Sequence, residues 1–136
     1  MAVVEELIRK ESDGNISFGN HLLAEKAKKE DFEHDGDLYK VKTFSTMTKL
    51  EKNGMFIYES VPGTSVRELE ETASGMKFLV NGKEDAQITV GLEDDTEYEV
   101  LIADRSIGKM KTNLGGKLSF GVEMSDQDEV AVEVRK

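Results

Sequence analysis

The stretch Lys117-Leu-Ser-Phe-Gly-Val-Glu-Met124 alternates polar and apolar side chains, and the segments before and after it do the same. Glu97-Tyr-Glu-Val-Leu-Ile102 precedes it, and Glu129-Val-Ala-Val-Glu-Val134 follows it. A period of two places successive side chains on opposite faces of a pleated strand. Three such strands joined by short polar turns predict an antiparallel sheet with one buried face and one solvated face.

Turn-forming residues divide the rest of the chain into short segments. Asn53-Gly54, between two alternating runs, predicts a hairpin with a type I′ turn, because both central residues need positive φ. Val61-Pro62-Gly63-Thr64 predicts a type II turn with positive φ at Gly63. Spacing of this kind predicts about nine or ten short strands and an all-β fold, either an antiparallel β-sandwich or barrel-like hairpins.

One segment favours a helix instead. His21 to Glu30 places Leu22, Leu23, Ala24 and Ala27 among charged residues, which predicts one short N-terminal helical segment. A helix of this length is marginally stable without packing against the rest of the protein.

Length and composition set the domain organisation. The chain has 136 residues, of which 38% are hydrophobic, and this predicts a single all-β domain over residues 1–136. The alternative is two lobes, at about residues 1–70 and 71–136. The absence of cysteine excludes disulfides, thiolate metal sites and a cysteine nucleophile.

Charge and hydropathy limit the partners and the compartment. A formal net charge of -10 repels phosphate backbones and anionic lipid surfaces, so we expect neither nucleic acid nor membrane as a partner. Acidic residues at Glu5 and Glu6 interrupt the amino terminus before any long apolar run, which argues against a signal peptide. The expected location is cytoplasmic.

The densest group of candidate ligands is the acidic segment Glu30 to Asp37. Its oxygen donors fall at alternate positions and a glycine stands at Gly36, as in a calcium-binding loop. Lys42 occupies the position where such a loop needs a bidentate acid, so the alternative is an Asp-Gly β-turn flanked by solvated acids. The candidate metal ligands are Asp31, Glu33, Asp35 and Asp37.

No catalytic arrangement emerges from the sequence. The chain has two histidines, His21 and His34, and neither has a nucleophile at motif spacing. Pairs among its 28 acidic residues are too numerous to single out two glycosidase carboxylates. The glycine-rich segment Thr112 to Lys117 opens no helix that could receive a phosphate. We therefore expect that the protein is not an enzyme and that it has no cofactor. Calcium bound by the acidic segment is the alternative.

Three segments carry a resemblance that covers nearly the whole chain. They are residues 31–43, 50–64 and 108–120, which include Asp31-Phe-Glu-His-Asp-Gly-Asp37 and Val61-Pro-Gly-Thr64. By these segments the chain resembles a family of short proteins from anaerobic Gram-positive bacteria whose members often carry the name endosialidase. The resemblance implies a relation to accessory or chaperone-like parts of phage tail spikes, and so to oligomeric or surface-associated assembly. It implies no catalytic residues.

These observations lead to one main hypothesis and two alternatives. The main hypothesis is a non-enzymatic interaction or assembly module that self-associates or binds a protein partner through open sheet edges. The first alternative is a module that binds carbohydrate or calcium through the Asp31 to Asp37 loop, with Tyr39 and Tyr58. The second is an accessory of a glycoside hydrolase, or a hydrolase, as the endosialidase name implies.

Overall fold

A computed structural model describes residues 3–124 and 129–136, which form thirteen β-strands and no helix. The strands are β1 (Ile8–Lys10), β2 (Ile16–Phe18), β3 (Ala27–His34), β4 (Asp37–Thr43), β5 (Thr48–Lys52), β6 (Met55–Val61), β7 (Ser65–Glu71), β8 (Gly75–Asn81), β9 (Ala86–Gly91), β10 (Glu97–Ile102), β11 (Arg105–Lys111), β12 (Lys117–Val122) and β13 (Val130–Arg135).

The strands form two antiparallel sheets in a sandwich-like arrangement, which confirms the predicted all-β class. The seven-stranded sheet has the order β1-β2-β7-β8-β13-β10-β11, and the six-stranded sheet has the order β12-β9-β6-β5-β4-β3. Each sheet draws strands from both halves of the chain. Neighbouring strands in space are therefore often distant in sequence.

Three aromatic rings join the two sheets at the centre of the core. Tyr58 on β6 is fully buried, and it meets Phe18 and Phe78 of the seven-stranded sheet edge-on. The ring centroids lie 5.3 Å apart for Phe18 and 5.5 Å apart for Phe78. Edge-to-face pairs of this kind stabilise a fold by about 0.5–1.5 kcal/mol each, beyond the burial of their area.

The turn predictions have mixed outcomes. The type I′ hairpin is confirmed, because Asn53 and Gly54 join β5 to β6 with φ values of 53° and 78°. The type II turn is wrong, because the φ of Gly63 is not positive. A Cβ atom at Gly63 would lie 1.9 Å from the carbonyl oxygen of Phe44, so glycine is needed there for close backbone approach.

The predicted helical segment at His21 to Glu30 is wrong. Ala27 begins β3, and its backbone pairs with Thr43 of β4 in an antiparallel register. The residues before it form turns, and the Leu23 carbonyl accepts a hydrogen bond from the Ser45 N–H at 2.8 Å. Pairing with β4 prevailed because a short helix gains little unless it is packed. Among the described residues no helix is long and apolar enough to cross a membrane.

The three alternating segments at the end of the chain are strands, but they do not form one sheet. Strands β10 and β13 are neighbours in the seven-stranded sheet, whereas β12 pairs with β9 at the edge of the six-stranded sheet. The sequence pattern does not predict strand β7, because a bulge between Arg67 and Glu70 breaks its alternation. The bulge brings Val66 and Leu69 to the same buried side at a spacing of three.

Candidate functional site

The predicted acidic loop is the hairpin between β3 and β4. Asp35 and Gly36 form a two-residue turn with φ values of 52° and 84°, the backbone of a type I′ turn. Beside it, the ring nitrogen Nε2 of His34 lies 2.8 Å from the Gly14 carbonyl oxygen and 3.3 Å from Asp35 Oδ2. The loop is thus tied to the first hairpin of the chain by its histidine.

The four candidate metal ligands do not converge on one point. Asp31, Glu33 and Asp35 are exposed along the hairpin, and Asp31 sits in a bulge with a φ of 57°. Asp37 is half-buried, and its Oδ1 accepts a hydrogen bond from Asn53 Nδ2 at 2.8 Å. In residues 3–124 and 129–136, no three or more His, Asp and Glu side chains are grouped to hold a metal ion. Calcium binding by this loop stays an untested alternative.

We expect calcium to leave the melting temperature of the metal-stripped protein unchanged, because a loop with dispersed carboxylates gains little from a cation. Differential scanning fluorimetry of the wild-type protein and Asp35→Ala, each with and without millimolar calcium, measures this. A calcium-dependent rise that disappears in Asp35→Ala would instead establish the binding site.

A carboxyl pair that the sequence did not single out lies in a cleft of about 380 Å³ beside β7, β8 and β13. The pair is Asp13, in the first hairpin turn, and Glu68, in the β7 bulge with a φ of 58°. Their mutual hydrogen bond raises the pKa of Glu68 and lowers that of Asp13. Asn15 contacts both, with its backbone N–H 3.0 Å from Asp13 Oδ1 and its Nδ2 3.4 Å from Glu68 Oε1.

This carboxyl pair has the geometry of a structural link. Glycosidases hold their two carboxyl groups about 5 Å apart or more, to admit the sugar and water. Asp13 and Glu68 instead influence each other's pKa directly, and the same residue, Asn15, bonds to both carboxyl groups. Ser17 adds to the link, because its hydroxyl accepts a hydrogen bond from the Glu68 backbone N–H at 3.1 Å. The pair therefore fastens the first hairpin to the β7 bulge.

Sheet edges are the other candidate site, and the described residues leave four strands with only one neighbour: β1, β3, β11 and β12. Proteins protect such edges with short strands, bulges and charged side chains. Strand β1 is three residues long, and β3 has a bulge between Lys29 and Phe32. Strand β11 carries Arg105, Lys109 and Lys111 along its exposed length. Three of these edges are therefore protected.

Strand β12 lacks these protections. Its ladder with β9 runs without a register shift from Lys117 opposite Gly91 to Val122 opposite Ala86. Leu118, Phe120 and Val122 point into the core, whereas Ser119 and Gly121 are exposed between them. The charged residue within the strand is Lys117, at its start.

Nothing among the described residues requires a glycine at Gly121, in the middle of β12. The φ of Gly121 is not positive, and a Cβ atom there would meet only Gln87 Oε1, at an ordinary distance of 3.8 Å. Alanine would therefore fit at this position, and glycine there leaves the outer face of the strand without a side chain.

Hydrogen bonds at the start of β12 show which backbone groups face outward. The Gly116 carbonyl accepts a bond from the Leu92 N–H at 2.7 Å, on the β9 side. Lys117 faces the other way, since its N–H donates to Asn113 Oδ1 at 2.9 Å and its carbonyl accepts from the Asn113 N–H at 3.1 Å. Successive residues of a strand alternate in this direction.

The N–H and C=O groups of Ser119 and Gly121 therefore point away from β9. Within the described part of the chain, no backbone or side-chain group hydrogen-bonds to these outward groups. The Ser119 hydroxyl is engaged separately, 2.7 Å from Thr89 Oγ1. Ser119 and Gly121, at the centre of the β12 edge, thus carry outward backbone groups without a partner among the described residues.

The fold is sandwich-like and all-β, and β12 is the one unprotected edge strand among residues 3–124 and 129–136. Comparisons with known proteins found no matching family model, no matching curated protein and no matching solved structure. The functional argument therefore depends on the geometry of the chain itself.

One feature of the sequence does distinguish β12 from the other alternating segments, namely the residue types at its polar positions. The polar positions of β10 and β13 carry charge, as at Glu99 and Glu133, whereas those in the middle of β12 are Ser119 and Gly121. The lack of charge in the middle of its polar face distinguishes β12 from its two counterparts. Only the strand order shows that this face belongs to an edge.

Proposed function

We propose that the protein is a non-enzymatic interaction module that self-associates by adding a strand of a second chain to its β12 edge. The observation that carries this proposal is the regular β12 ladder, whose outward residues Ser119 and Gly121 offer backbone groups that no described residue pairs with, without charge or bulge. Strand addition of this kind gives affinity through main-chain hydrogen bonds.

The energetics favour a concentration-dependent equilibrium. A main-chain hydrogen bond contributes about 0.5–1.5 kcal/mol net, and association must first offset lost translational and rotational freedom. The net charge of -10 also repels two copies at long range. Association through this edge is therefore expected to weaken on dilution and to strengthen as salt screens the repulsion.

Gly121→Pro tests the proposal at its centre. The Gly121 N–H points away from β9, so proline removes no hydrogen bond of the internal ladder but takes a donor from the edge. We expect the dissociation constant of the self-associated protein to rise at least about thirtyfold, because the edge loses a donor and the proline ring clashes with the added strand. Light scattering over a dilution series measures the mass.

Gly121→Ala is the matched control, because it keeps the N–H and adds a methyl group to an open position. It should associate like the wild type, and circular dichroism should show all three proteins folded. A wild-type protein that remains a single chain at every concentration would overturn the proposed function.

A further inference from the structure

Resting on the proposed function, we infer that the strand received by β12 is the β12 of a second copy, paired about a two-fold axis at Phe120. When the two-fold axis is perpendicular to the sheet, a residue that precedes the axis by some number of positions lies opposite the partner residue that follows it by the same number. Ser119 then lies opposite Gly121 of the partner, and Gly121 lies opposite the partner's Ser119.

This register satisfies the outward backbone groups of the edge. Phe120 directs its backbone groups toward β9, so it forms the non-hydrogen-bonded pair at the axis. On each side of the axis, Ser119 of one copy and Gly121 of the other form a hydrogen-bonded pair. Within each pair, both N–H groups donate and both C=O groups accept. The backbone groups of both residues are then used. Lys117 already bonds to Asn113, so the pairing ends there.

The same register brings opposite charges together. Beyond the last bonded pair, it directs the Lys117 side chain toward the partner's Glu123, and both side chains are exposed in the single chain. The symmetry produces this contact twice. The Lys117 ammonium lies 4.6 Å from the centre of the Phe56 ring in the single chain, and a change of rotamer would bring it toward the edge. A chain with a net charge of -10 would thus place a cation opposite an anion where two copies meet.

Two other registers are less complementary. An axis at Ser119 would bring Gly121 opposite Lys117, whose backbone N–H and C=O are already bonded to Asn113. An axis at Gly121 would need backbone bonds from Glu123, which lies beyond the end of the ladder at Val122. Only the axis at Phe120 combines full use of the two free residues with the contact between Lys117 and Glu123.

Cysteine pairing distinguishes the registers, because the natural chain has no cysteine to interfere. Ser119→Cys and Gly121→Cys are prepared separately, oxidised alone and as an equimolar mixture, and analysed by non-reducing electrophoresis. Directly opposite residues have Cα atoms about 5.5 Å apart, within disulfide range, whereas residues offset by two positions are about 8 Å apart and cannot be bridged.

With the axis at Phe120, the mixture should give a disulfide-linked pair of one variant with the other, and neither variant alone should cross-link. Cross-linking of Ser119→Cys alone would place the axis at Ser119, and cross-linking of Gly121→Cys alone would place it at Gly121. Either result overturns the inferred register and leaves the proposed function intact. A protein with a two-chain mass that cross-links in none of the samples would overturn β12 pairing, and a single-chain mass would overturn both proposals.

A charge exchange gives an independent readout without cysteine. Lys117→Glu should raise the dissociation constant about tenfold, because it replaces two favourable contacts by two repulsive ones. Adding Glu123→Lys to the same chain should restore the wild-type value, whereas Glu123→Lys alone should weaken association. Failure of the double variant to recover would contradict the inferred contact between Lys117 and Glu123.

Discussion

Replacing Gly63 by alanine is expected to destabilise the fold severely. The new Cβ atom would lie 1.9 Å from the carbonyl oxygen of Phe44 and 3.1 Å from its carbonyl carbon, and both are backbone atoms that no rotamer change can move. Gly63 also donates its N–H to the Ser45 carbonyl at 3.0 Å, so separating the two segments would break this hydrogen bond as well. The expected loss is more than about 4 kcal/mol of unfolding free energy.

Urea unfolding followed by circular dichroism measures this loss. Gly121→Ala serves as the control here too, since the same change at that site meets only an ordinary contact of 3.8 Å and should alter the unfolding free energy by less than about 0.5 kcal/mol. A Gly63→Ala protein with the wild-type unfolding midpoint would show that Phe44 does not approach Gly63 as described.

The second large effect is expected at Thr64, which is the centre of a buried hydroxyl network. Its Oγ1 lies 2.7 Å from both the Tyr58 hydroxyl and Ser60 Oγ. Its backbone carbonyl accepts a bond from Thr48 Oγ1 at 2.7 Å, and Thr48 lies 2.8 Å from Thr43 Oγ1. The network therefore holds the segment after β6 against the end of the six-stranded sheet.

Thr64→Val keeps the shape of the side chain but leaves two buried hydroxyl groups without this partner. Burial raises the pKa of Tyr58, so its hydroxyl remains protonated and needs an acceptor at all ordinary pH values. We expect the unfolding free energy to fall by about 2–3 kcal/mol, because an unsatisfied buried polar group costs about 1–3 kcal/mol. Urea denaturation measures the change.

Ser60→Ala is the comparison, since it removes only one member at the margin of the network. It should cost about 1 kcal/mol, the usual net value of one hydrogen bond. If Thr64→Val proved no more destabilising than Ser60→Ala, Thr64 would not be the centre of the network.

Local patterns in the sequence predicted the strands well. The period of two identified β10 with its observed bounds and β12 and β13 nearly so, because alternation is a property of the strand itself. Asn53-Gly54 predicted a hairpin for the same reason, since positive φ is required by the turn and not by its surroundings.

The errors came where a distant segment determined the local structure. His21 to Glu30 has a helical pattern, yet Ala27–His34 pairs with β4 as an edge strand. Gly63 was assigned to a turn, but it is required by the approach of Phe44.

The sequence by itself determined that this protein is built from short antiparallel strands, because side-chain alternation and turn chemistry are local properties of the chain. Only the tertiary structure decided which sheet each strand joins, and hence that β12 is an edge with Ser119 and Gly121 facing outward. The physical reason is that strand order depends on which apolar faces bury each other, and those faces come from residues far apart in the sequence.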